Sequence, residues 1–151
     1  MKLWPLLLLA ACGGGPSLTN LRCRDPAHCQ DVEDPLKLLL AVDFRDDTGT
    51  LGEGVLNLRL GGNTQQTVSI ADIFTAQNIA PGTRSGTVRI DDDIFLDKMS
   101  QGMSVRVSAV AVNGQGKHSN EPSLTFALHL GSGYSGVARR GAQGGASTGG
   151  P

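Results

Sequence analysis

In three stretches between residues 55 and 130 apolar side chains recur at every second position, a period that fits half-buried β-strands and little else. VLNLRL (55–60) sets Leu56, Leu58 and Leu60 on one face and Asn57 and Arg59 on the other, then stops at Gly61-Gly62. MSVRVSA (103–109) turns Met103, Val105, Val107 and Ala109 inward, and LTFALHL (124–130) alternates again. KLLLAVDF (37–44) reads as a more fully buried strand, and 66–70 and 86–90 as shorter ones. Residues 71–77 and 95–100 fit single helical turns over the ends. Six or seven short strands with no room for a long helix predict an all-β, antiparallel sandwich of two sheets over 36–130. No repeat at solenoid periods interrupts this reading.

The flanks differ. Residues 12–35 are rich in Gly, Pro, Asp and Asn without apolar periodicity, so a flexible tether is expected there. Residues 131–151 hold eight glycines in 21 positions and almost no large apolar side chains. Such a segment cannot bury enough surface to offset its ordering entropy, and a disordered tail is expected. Trp4 and Tyr134 both fall outside the strands, which leaves Val, Leu, Ile, Ala and four Phe to build the core.

SVRVSAVAVNGQGKHSNEPSLTF (104–126) resembles the last two strands and connecting loop of fibronectin type III and related immunoglobulin-like domains. In these the pattern is V-x-V-x-A, an Asn-Gly turn, a Ser-x-x-Pro corner and an alternating final strand. Asn113-Gly114 fits the turn, because both residues tolerate positive φ. Ala80-Pro81-Gly82-Thr83 resembles the Pro-Gly-Thr turn that precedes one of the strands. The early core tryptophan and the corner tyrosine of the family are absent, with Met103 and its neighbours in the latter region, so the subfamily stays open. The resemblance implies an immunoglobulin-like (fibronectin type III-like) β-sandwich, an architecture that hosts many binding roles.

At the other end of the chain, Met1-Lys2 is a short positive region, Leu3 to Leu9 an apolar run, and Ala10-Ala11 small residues before Cys12. This is signal-peptide grammar, and the run is too short to span a bilayer. Leu9-Ala10-Ala11-Cys12 resembles the lipobox of bacterial lipoproteins. That resemblance implies removal of residues 1–11 and acylation of Cys12, with the glycines that follow as a leash. Gly13 at the second mature position, where aspartate retains such proteins in the inner membrane, implies an outer-membrane anchor. Without residues 1–11 the formal charge is −2, since Lys2 leaves with them. Nothing in that balance attracts nucleic acid.

Cys23 and Cys29 in CRDPAHC are the cysteines left once Cys12 is acylated. In an oxidising compartment a disulfide closing this loop is the first expectation, at a place outside the core. The alternative, zinc recruiting His28, packs three ligands into seven residues with no second pair. Asp43, Asp46, Asp47, Gly49 and Glu53 have the oxygen-rich look of a calcium loop without EF-hand spacing, and Asp91, Asp92 and Asp93 add ligands if the two loops meet. Solvated turns explain both stretches as well. Gly131-Ser-Gly133-Tyr-Ser-Gly136 matches a dinucleotide fingerprint only literally, because no helix or acidic partner follows. Ser135 lacks the final glycine of a nucleophile elbow, with Val137 in its place. His118 and His129 carry no argument that they meet.

No catalytic, cofactor-binding or metal-binding residue is therefore expected. The reading is an outer-membrane-anchored lipoprotein, a non-catalytic binding or structural module with protein partners in an envelope assembly for transport, motility or adhesion. A small envelope hydrolase or metal-dependent enzyme is the alternative.

Overall fold

The computed structural model describes residues 14–61, 63–94 and 100–130. The expected signal peptide over 1–11, Cys12, all but the last residue of the turn expected over 95–100 and the glycine-rich tail lie outside them. Among the described residues seven strands and one short α-helix, with a single 3-10 turn at Leu51–Glu53, follow in the order β1 (Ser17–Cys23), β2 (Lys37–Arg45), β3 (Val55–Leu60), β4 (Asn63–Ser69), α1 (Ile70–Ala76), β5 (Ser85–Asp93), β6 (Ser104–Val112) and β7 (Ser123–Ala127). They form a three-stranded sheet, β1-β2-β5, and a four-stranded sheet, β4-β3-β6-β7. Every neighbouring pair is antiparallel.

The period of two becomes the core. Leu38, Leu40, Val42 and Phe44 of β2 and Val88 and Ile90 of β5 face Leu56, Leu58 and Leu60 of β3 and Val105, Val107, Ala109 and Ala111 of β6. Helix α1 closes one side with Ile70, Ile73 and Phe74, the Phe74 ring lying 5.4 Å from that of Phe44. Ser69 caps the helix by accepting from Asp72 N. Asn78, at φ 55°, turns the chain out of it.

The expected tether contains a strand. β1 pairs with β2 from Ser17↔Arg45 to Cys23↔Leu40, and Leu18, Leu21 and Cys29 are buried in the core. The sequence hides it because a bulge breaks the alternation. Between Thr19↔Asp43 and Arg22↔Ala41, two residues of β1 oppose one of β2, and Asn20 takes φ 53°. Leu18 and Leu21 thus face inward three positions apart. The sandwich begins at residue 17 rather than 36, so most of the expected tether belongs to the folded domain.

Smaller corrections have equally local causes. β4 covers 63–69 and hands Ile70 to the helix, while β5 continues to Asp93 because Lys37–Leu39 of β2 extend alongside it. β7 ends at Ala127, and beyond it His129 takes a side chain as its partner. The Gln30 carboxamide accepts from His129 N at 2.7 Å and donates to His129 O at 2.9 Å.

The same device recurs at two strands that form sheet edges. The Asn120 carboxamide accepts from Leu18 N at 2.8 Å and donates to Leu18 O at 2.7 Å. The Gln77 carboxamide pairs likewise with Arg89, at 2.9 and 2.7 Å. Each amide stands where a further strand would have supplied the partner.

Two outcomes follow for stability. A chain of residues 14–130 should melt cooperatively, whereas 36–130 should lose about 4 kcal/mol or more through Leu18 and Leu21 alone and fail to do so; calorimetry of the two fragments decides. Val107→Asp should unfold the domain by placing a carboxylate between the sheets, at a cost of about 4 kcal/mol or more. Arg106→Asp, on the exposed face of the same strand, should stay folded. Circular dichroism showing the reverse would mean that the inward face is misassigned.

Candidate functional site

The sandwich has two ends, which the chain builds differently. Its N-terminal end gathers the connections after β2, after α1 and after β6. Asp46 N donates to Arg84 O at 2.7 Å, and Gly114 N to Thr50 O at 2.9 Å, which ties the three together. Thr83 N donates to Ala80 O at 3.0 Å, so the Pro81-Gly82 turn forms as expected. The Asn113-Gly114 turn does not. Asn113 N instead donates to Lys117 O at 3.0 Å, closing a wider loop, and Gly116 is the residue with positive φ.

Asp46 frames this end. It is 0% exposed and accepts from Thr48 Oγ1 at 2.7 Å, Thr50 N at 3.0 Å and Thr48 N at 3.2 Å. Burial pushes its carboxyl up. The hydroxyl and N–H of Thr48, the N–H of Thr50 and the Asn113 amide outweigh burial, and the net effect is downward. Asp47 pairs with Arg45 at 2.9 Å. The oxygen-rich look of this stretch thus comes from a loop that satisfies its own N–H groups.

Asp91, Asp92 and Asp93 lie at the opposite end. Their partners on β2 are Leu39, Leu38 and Lys37, whereas Arg45 pairs with Ser85. Asp43 pairs with Thr87, four steps from Asp91, or about 13 Å at 3.3 Å per residue, and Asp46, Asp47 and Glu53 lie beyond Arg45 still farther away, so the two stretches do not form one calcium site. No three His, Cys, Asp or Glu side chains are arranged to hold a metal among the described residues.

Asp92 is the unexpected group. It follows Val88 and Ile90 on the inward face and is only 4% exposed. Burial raises its carboxyl, the Asp93 N–H offsets part of this, and the Asp93 charge adds to it. The Gln66 carboxamide on β4 lies against it and, with nitrogen toward the carboxylate, donates to it. An acidic run offers a reader no sign that its middle member turns inward. The signal was the unbroken even-numbered series 88, 90, 92, 94.

The far end also carries the disulfide. Cys23 and Cys29 are bonded. Between them Asp25-Pro-Ala-His28 makes a β-turn, with His28 N donating to Asp25 O at 3.2 Å and Pro26 second in the turn. His28 Nδ1 lies 3.5 Å from Asp25. Contrary to expectation the bridge is part of the core, since Cys29 is 2% exposed and its carbonyl accepts from Leu39 N at 2.7 Å. A shallow groove beside it is lined by His28, Gln30, Val32, Pro35 and His129. His118 belongs to the N-terminal end, where its carbonyl faces Gly15, so the two histidines His118 and His129 do not meet.

On the outer face of the four-stranded sheet, Arg59 and Ser108 hold Glu121 at 3.1 and 2.6 Å. The Ser108 hydroxyl, with Arg59, keeps that carboxyl below its ordinary value against the upward push of burial. Among the described residues no helix is long and apolar enough to cross a membrane. No protein-family model, curated protein or solved structure matches this chain.

The two buried carboxylates should titrate with opposite signs. Asp46, lowered in the folded state, contributes stability above its unfolded pKa that is lost as pH falls through the folded value. Asp92, raised, contributes stability below its unfolded pKa that is lost as pH rises through the folded value. At pH 7, Asp46→Asn should therefore cost about 2 kcal/mol by setting amide hydrogens against N–H donors. Asp92→Asn should gain about 1 kcal/mol by removing a buried charge, with the gain fading toward pH 4. Thermal melts of both variants across this range check the signs.

Proposed function

We propose that this chain is a bacterial lipoprotein, anchored in the outer membrane through acylated Cys12, that carries a fibronectin type III-like domain as a non-catalytic binding or structural module. The observation that carries the anchor is Leu9-Ala10-Ala11-Cys12 at the end of a short apolar run, followed by glycines. The strand order carries the domain type. Three strands, first-second-fifth, face four, fourth-third-sixth-seventh, and the 104–126 segment that resembles the family forms the last two neighbours of the larger sheet.

The domain reading rests also on what the polar side chains do. Gln30, Gln77 and Asn120 are spent on backbone groups, and Asp46 on backbone N–H groups and a threonine hydroxyl of its own loop. Glu121, Asp43 and Asp47 are paired with hydroxyls, amides or guanidinium groups. A scaffold of this kind presents faces and loops to other envelope proteins, and the work it does is contact.

Replacing Cys12 by Ala should abolish incorporation of labelled fatty acid and move the protein out of the outer-membrane fraction. Equal labelling of parent and Cys12→Ala would sink the anchor.

A further inference from the structure

Acylation of Cys12 has a geometric consequence, because the strand begins so soon after it. We propose that the sandwich stands on the phospholipid surface through its N-terminal end, with the disulfide-closed end pointing away from the membrane. This rests on the reading that Cys12 carries the lipid.

The leash is short. Two Cα–Cα steps join Cys12 to Gly14, at most about 7.6 Å, and the chain is fixed immediately afterwards. A Cβ on Gly15 would come 2.5 Å from the His118 carbonyl oxygen and 3.5 Å from Lys117 Cβ, so the backbone is pressed against the loop after β6. Pro16 is buried, and Ser17 already pairs with Arg45. The anchor point therefore lies beside the three connections of the N-terminal end and cannot reach the other. The β2–β5 ladder runs from Arg45↔Ser85 to Lys37↔Asp93, so the far end lies about 26 Å up the strands.

The surface brought to the lipid suits contact without insertion. The three connections meet closely: a Cβ on Gly49 would lie 3.1 Å from Gly82 O, and one on Gly52 2.6 Å from Pro81 O. Small residues dominate, and the exposed Gly114, Gln115 and Gly116 offer no apolar wedge. Arg45, Arg84 and Lys117 are balanced by Asp46, Asp47 and Glu53. Neither electrostatic attraction nor apolar burial would hold this end to a bilayer without the acyl chains, so the orientation comes from leash length alone.

The test uses the full chain, acylated and disulfide-bonded, in which all three native cysteines are occupied. Gln115→Cys and Val32→Cys each then give a single free thiol for a dye, on exposed residues at opposite ends. In vesicles of phosphatidylethanolamine and phosphatidylglycerol containing a headgroup-bound quencher, the dye at 115 should be quenched several-fold more than the dye at 32. A flexible Gly-Ser insert between Gly13 and Gly14 should erase the difference. Acylated protein, verified by intact mass, with equal or stronger quenching at 32 overturns the orientation and leaves the anchor standing. A mass without acyl chains at Cys12 overturns the anchor and the orientation with it.

Discussion

Two-point pairing between a carboxamide and a strand's own N–H and C=O closes this sandwich where its backbone ladders stop. The interior is aliphatic with few aromatic rings, and aliphatic packing holds faces together without dictating where a strand ends. Asn120 fixes the start of β1 against the segment before β7, 102 residues away in sequence. Gln30 fixes the chain beyond β7 against the disulfide loop, 99 residues away. Gln77 fixes the outer edge of β5 to the end of the helix. Each pair joins parts of the chain that no ladder joins, and each occupies edge groups that another chain's strand would otherwise take. The domain's closure and the protection of its edges are thus one set of interactions.

The strands with plain alternation were legible because burial of one face leaves the sequence only one way to repeat. β3 and β6 are seen by counting to two. β1 was not, since Asn20 at positive φ inserts a residue and shifts the inward face from even to odd positions. Its composition, SLTNLRC, then looks like a linker. The disulfide was legible from cysteine spacing and the expectation of an oxidising compartment, but its place in the core was not, because that depends on the missed strand. The amide clamps leave no trace in sequence. A carboxamide 99 residues from its partner carries no local signal, and topology alone brings the two together.

Carboxylate clusters show the same limit from the chemical side. Asp43, Asp46 and Asp92 belong to stretches of similar composition, and the fold gives each a different state. On the outer face of the three-stranded sheet, Asp43 accepts from Thr87 at 2.6 Å, Asn20 at 2.9 Å and Arg22 at 3.0 Å. The Thr87 hydroxyl leads in lowering its pKa, with Asn20 and Arg22 acting in the same direction. Asp46 is lowered from inside a loop, and Asp92 is raised because burial, with the Asp93 charge beside it, outweighs the Asp93 N–H. What separates them is the number of donors each meets per unit of desolvation, a property of loop geometry and strand register. Composition records the carboxylates and says nothing of their donors.

The two ends differ in a way that bears on which one can work as a contact surface. The N-terminal end is a set of connections locked to one another through Asp46, Thr50 and Arg84, with small residues outermost. The far end is locked covalently, through a bridge whose Cys29 is seated in the core, and it displays Val32, 79% exposed, beside the groove shared with His28 and His129. Val32 is the large hydrophobic side chain left exposed among the described residues. A loop held by a disulfide and by ladder bonds to β2 has little freedom left to lose when a partner settles on it, so more of any contact energy survives as affinity. Rigidity and an exposed apolar side chain coincide at the far end, the one that the proposed anchor would turn outward, while the N-terminal end has neither an apolar projection nor a net charge.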